Sequence, residues 1–81
     1  MVREFKHHIA WTDAMKYSDD GYAGLIGYQR KFGDGPARIL WVYGPNFPNE
    51  LEAEISAERM LAKIVDINSF ERIIYEDGVM L

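Results

Sequence analysis

The sequence predicts a small α+β domain: an antiparallel sheet of three to five strands, with one main helix over 56–66 packed on one face. Three observations lead there. Two β-rich runs, YAGLIGYQRKF and ARILWVY, flank the turn Gly33-Asp34-Gly35-Pro36. The stretch SAERMLAKIVD carries apolar residues at helical spacing. Shorter strand-like runs stand near each end, over 4–11 and 70–76.

From the N-terminus, Phe5, His7, Ile9 and Trp11 share one parity, and Glu4, Lys6, His8 and Ala10 share the other. That alternation marks a half-buried strand, with His7 inward and His8 on the surface. TDAMKYSDDG over 12–21 reads as a polar connection, with Thr12 able to cap a short turn and Ser18-Asp19-Asp20-Gly21 supplying turn residues.

In the hairpin, Tyr22, Ile26, Tyr28 and Phe32 fall on one face of the first strand; Ala37, Ile39, Trp41 and Tyr43 fall on one face of the second. Both aromatic sets are expected under the helix. Gly44-Pro45-Asn46-Phe47-Pro48-Asn49 then breaks the ladder, so the chain is expected to leave the sheet.

Residues 49–55 fit two readings. As a strand, Leu51, Ala53 and Ile55 point inward with three glutamates outward, and the alternation slightly favours this. As a helix, Pro48 followed by acidic residues marks a first turn. A single helix through 66 would have a broken stripe, because Leu51 and Ile55 lie away from Ala57, Met60, Leu61, Ile64 and Val65. Ser56 is the expected N-cap. Phe70 to Glu76 is rich in strand formers, Asp77-Gly78 is a tight-turn pair, and Val79-Met80-Leu81 is an apolar tail fit to pair back or dock.

Eighty-one residues make one domain, 1–81, and there is no cysteine for a disulfide or a thiolate metal site. The opening Met1-Val2-Arg3-Glu4 is charged and unlike a signal peptide, and no apolar run has transmembrane length; the expected setting is the cytoplasm. Net charge is −4, divided as +1 over 1–45 and −5 over 46–81.

The chemistry-bearing residues are sparse. The glycines do not lie between a strand and a helix, so no phosphate loop is expected. His7 and His8 are neighbours on a strand and point apart, which removes a shared metal. No cofactor and no catalytic constellation is expected. The leading expectation is a non-enzymatic protein-binding module, an inhibitor or adaptor of the kind carried by phages and mobile elements. It would use charged contacts from Glu50, Glu52, Glu54, Glu58, Lys31, Arg38 and Asp34. A homodimer through a sheet edge accompanies it. One alternative is nucleic-acid binding through an outer sheet face bearing Lys6, His8, Gln29, Lys31 and Arg38. Another is a small nuclease built on His8, Tyr28, Arg30 and Lys31.

Overall fold

The computed structural model describes residues 1–19, 21–33 and 35–79, and the backbone alone for 43–46. Its elements are β1 (Val2–Glu4), β2 (His8–Ser18), β3 (Gly21–Arg30), β4 (Arg38–Phe47), α1 (Glu50–Lys63), β5 (Ile64–Ile67) and β6 (Ile73–Tyr75). β1 to β4 form an antiparallel sheet in chain order, and β5 pairs with β6 in a separate hairpin. The domain is α+β with one main helix, as the sequence predicts.

The first predicted strand is two. Phe5 N–H donates to the His8 carbonyl at 2.8 Å, and this turn folds β1 back on β2. The first part of the predicted connection, 12–18, is instead strand: β2 runs to Ser18 and pairs with β3, with an irregularity between Lys16 and Ser18, while Asp19 stands in the expected turn before Gly21. Thr12 caps no helix; it is buried and its hydroxyl accepts a hydrogen bond from the N-terminal amine at 3.2 Å. Polar composition misleads here because β2 alternates. His8, Ala10, Thr12 and Ala14 are buried, while Ile9 and Asp13 between them are exposed and Trp11 is half-buried; past Ala14 the strand is exposed.

β4 departs from expectation as well. Gly44 and Pro45 do not end it. The ladder shifts between Tyr22↔Phe47 and Gly24↔Val42, so a bulge absorbs the interruption and Phe47 pairs again.

One helix, α1, runs unbroken through 50–63, which replaces the strand reading of 49–55 and moves the N-cap from Ser56. The Asn49 side chain accepts from Glu52 N–H at 2.9 Å, and Glu50 and Glu52 occupy the positive end. The mismatch of Leu51 and Ile55 with the stripe is real, but the helix tolerates it by leaving both exposed. Its buried line is Ala53, Ala57 and Leu61. The helix stops at Lys63, short of the expected Asp66, because Ile64 is already extended and opens β5. Val65, expected inside, is exposed.

Small residues seat the helix. A β-carbon added at Gly24 would collide with the Ala53 carbonyl oxygen and stand 3.1 Å from the Ala57 methyl. Ala10, Ile26, Val42, Ala57, Leu61, Ile64, Ile67 and Ile73 form the core with Phe5. Arg3 ties β1 to the helix end, donating through Nη1 to the Leu61 carbonyl at 2.5 Å and the Ile64 carbonyl at 2.8 Å, where a cation meets the negative helix terminus.

β6 is shorter than the predicted 70–76 run, and Phe70 sits exposed in the β5–β6 turn. Asp77-Gly78 does turn the chain, and Tyr75 N–H donates to the Val79 carbonyl at 2.9 Å, so the tail pairs back there. Met80 and Leu81, like Asp34 of the predicted hairpin turn, lie outside the described residues.

Gly24→Ala is expected to lower stability by about 1–3 kcal/mol, the usual cost of overfilling a packed contact. A urea unfolding curve checks this.

Candidate functional site

The register decides which side chains meet the helix. Residues directly opposite in an antiparallel pair share a face. Ala10 pairs with Tyr28 and Thr12 with Ile26, while Ile26 pairs with Leu40 and Gly24 with Val42. The even-numbered residues 8–14 of β2, 22–30 of β3 and 38–42 of β4 therefore share the face on the helix side. Tyr22, Ile26 and Tyr28 belong to this face as expected, but Phe32, expected with them, lies beyond the end of β3 and is exposed. Ile39 and Trp41 do not: they fall on the opposite face, and the side chain of Tyr43 is not described.

The opposite face is exposed in part: Ala23, Leu25 and Gly27 on it are buried, and its rim is not. Its rows are Val2, Trp11, Gly27 and Ile39, then Asp13, Leu25 and Trp41, with Met15 and Ala23 beyond. Val2 is 66% exposed, Ile39 53%, Met15 50% and Ile9 38%; Trp11 and Trp41 are half-buried. The Trp11 indole lies down over Gly27, where a β-carbon would collide with the ring at 2.3 Å. Glycine at 27 thus makes room for the ring. Its charges are few. Glu4 is bonded to Lys31 Nζ at 2.6 Å, and Asp13 Oδ1 accepts from Ala14 N–H at 2.8 Å.

A second cluster lies on the helix side, between the sheet and the β5–β6 turn. Arg30 Nε bonds Glu71 Oε1 at 3.1 Å, and Arg38 Nε holds the other oxygen. Glu71 has φ 63, the left-handed region that non-glycine residues avoid. The turn is fixed by Asn68, whose Oδ1 accepts from Phe70 N–H at 2.9 Å and Arg72 N–H at 3.0 Å. His8 is wholly buried beside this knot, its Nε2 3.9 Å from Glu71 Oε1 and its ring edge-on to Tyr28. Neither ring nitrogen is hydrogen-bonded. Burial, and then the Arg30 charge, push the His8 pKa below the ordinary histidine range; burial pushes the Tyr28 hydroxyl up.

This reverses the expected histidines: His7 is exposed and His8 is inside. It also brings together three of the nuclease candidates, His8, Tyr28 and Arg30, while Lys31 is drawn to Glu4. His8 has no accessible surface, so no substrate atom reaches its ring in this arrangement. The expected basic outer face is not assembled either, since His8 and Arg38 belong to the helix side.

The charged residues expected to bind a partner are scattered. Glu50 and Glu52 start α1; Glu58 stands 3.8 Å from the N-terminal amine; Arg38 serves Glu71 and Lys31 serves Glu4. Glu54 is half-buried on the same helix, and Asp34 lies outside the described residues. The residues that sequence reasoning missed are Ile9, Trp11, Met15, Ile39 and Trp41 as a surface. A signal existed: β3 and β4 are apolar on both parities, with Leu25 beside Ile26 and Trp41 beside Leu40. Strands apolar on both faces ask for cover on both.

Among the described residues, no three histidine or acidic side chains could hold a metal ion, and no helix is long and apolar enough to cross a membrane. Comparison with protein-family models, with curated proteins and with solved structures yields no match to the chain.

A depressed His8 pKa has a defined consequence for stability. Between the folded and unfolded pKa values the unfolded chain binds more protons, so stability falls as pH drops through the unfolded value of about 6.5. The urea midpoint is expected to fall between pH 7.5 and pH 5.5, and to fall less in His8→Gln. Equal falls in both proteins would show that His8 is not the source.

Proposed function

We propose that the chain is a non-enzymatic protein-binding module that docks through the open face of its four-stranded sheet. The observation that carries this is the bare apolar surface of Val2, Ile9, Met15 and Ile39 around two half-buried tryptophans. Contiguous apolar surface on a folded domain marks a site of contact. The charged contacts anticipated from sequence become secondary, because those side chains are dispersed or already paired. A small inhibitor or adaptor acts by such coverage, and a second copy of the chain is among the proteins the face accepts. A cysteine-free domain needs no oxidative step, which fits a cytoplasmic setting.

Nucleic-acid binding is less well supported. The face offers indoles for stacking, but its charged groups are Glu4, Asp13 and the already paired Lys31, an unfavourable set for phosphates.

A photo-crosslinking residue at Ile39 is expected to give covalent protein adducts in cells that make the chain, and the same residue at the exposed Glu52 on the far side is not. Absence of protein adducts from Ile39 would reject the docking face.

A further inference from the structure

We infer that the partner's contact segment is apolar and carries an arginine, whose guanidinium pairs with the Asp13 carboxylate on the outer face; this rests on the docking reading above and names the chemistry of the occupant. Asp13 is exposed in the middle of β2, and its Oδ1 accepts from the Ala14 N–H at 2.8 Å. That amide is its one polar contact among the described residues.

The position of Asp13 puts it under any apolar contact along β2. Ile9, Trp11, Asp13 and Met15 form one line on this face, each about 7 Å from the next. Ile9 and Met15 are exposed at its two ends, and the exposed Val2 stands beside Trp11. A segment that covers Ile9 and Met15 therefore lies across Asp13. Covering it with apolar groups takes away its water and leaves the carboxylate with a single backbone amide. An uncompensated buried charge is among the heaviest penalties a contact can carry. The segment that covers this line has to bring a cation.

The chain does not supply one. Glu4 and Asp13 are the charged side chains at the described outward positions of β1 to β4, and Glu4 already holds Lys31 Nζ at 2.6 Å. A second copy of the chain fits the site less well, because it brings another carboxylate and no free cation. A guanidinium suits the surroundings better than an ammonium. It is less strongly hydrated, and its planar fork stacks on aromatic rings. The half-buried Trp11 indole and the exposed Met15 flank the carboxylate and give the arginine stem apolar walls. Arginine is also enriched in interfaces, where lysine is depleted. The net charge of −4 favours the approach of such a partner from a distance.

The test uses the acetylated, amidated peptide Leu-Arg-Leu and its citrulline counterpart, which keeps the shape and removes the charge. Nitrogen–proton NMR spectra of the purified full chain follow the Trp11 and Trp41 indole signals and the Asp13 amide through each titration. The arginine peptide is expected to shift the Trp11 and Asp13 signals and to bind about tenfold more tightly than the citrulline peptide, the scale of a charge-assisted hydrogen bond. Asp13→Asn keeps an oxygen for the Ala14 amide and loses the charge, so the urea midpoint should hold while that preference disappears. A preference that survives Asp13→Asn overturns the inference. Equal binding of the two peptides overturns it as well, and so does failure of both to bind. The docking face is judged separately by the Ile39 crosslinker. Adducts that fall sharply in the Asp13→Asn chain support both readings. Adducts that form equally in it leave the face standing and remove the arginine. If Ile39 gives no adducts, both fall.

Discussion

The close approach of α1 to the sheet at Gly24 fixes the rest of the structure. Ala53 and Ala57 reach the strand only because residue 24 has no side chain. That contact determines which parity of β3 faces the helix, and pairing carries the choice to both neighbours. A slip of one residue would exchange every inner side chain for an outer one. The inner set, with Ala10, Ile26 and Val42, closes on Leu61, Ile64 and Ile67. The outer set keeps the half-buried tryptophans, with Leu25 and Ala23 buried on the same face and Ile39 and Met15 exposed.

Several charges are used inside the chain. Arg3 stacks on Phe5 with its guanidinium 4.7 Å from the ring centre and closes the end of α1. Arg30 and Arg38 converge on Glu71, holding a left-handed residue where an unassisted side chain would cost about 1–2 kcal/mol. The β5–β6 hairpin is thereby fastened to the open end of the sheet. Burial beside the hairpin, and then the Arg30 charge, lower the pKa of its neighbour His8.

Much of the fold was legible in the residues. The β3–β4 hairpin, the helix and the C-terminal turn all carry local signals that agree with their neighbours. What was not legible was relative phase. Tyr22–Phe32 and Ala37–Tyr43 each alternate clearly, yet nothing local says which face of one meets which face of the other; the loop sets that through Tyr28↔Arg38. Assigning the bulkier parity of β4 to the core placed Trp41 inside and Arg38 outside, the reverse of the structure. The same preference for bulk put His7 inside, when the small side chains of Ala10 and Ala14 were what the helix required. The Asn49 cap is masked in the sequence because Leu51 and Ile55 break the apolar stripe, and the structure leaves both exposed. The open face was hidden by the same error of phase, not by any lack of signal in Ile39 and Trp41.

The bulge in β4 bears on how large an assembly of this chain can grow. An unbroken, straight outer strand templates the next chain, and that chain templates another, so growth along the hydrogen-bonding direction has no natural end. Here the outer strands are a three-residue segment on one side and a kinked, proline-bearing one on the other. Contact through a face behaves differently, since each copy has one such surface and using it leaves none behind. The defect in the ladder thus separates a stickiness that terminates from one that would propagate, and lets the domain carry exposed Ile39 and Met15 beside half-buried tryptophans without becoming the seed of a fibre.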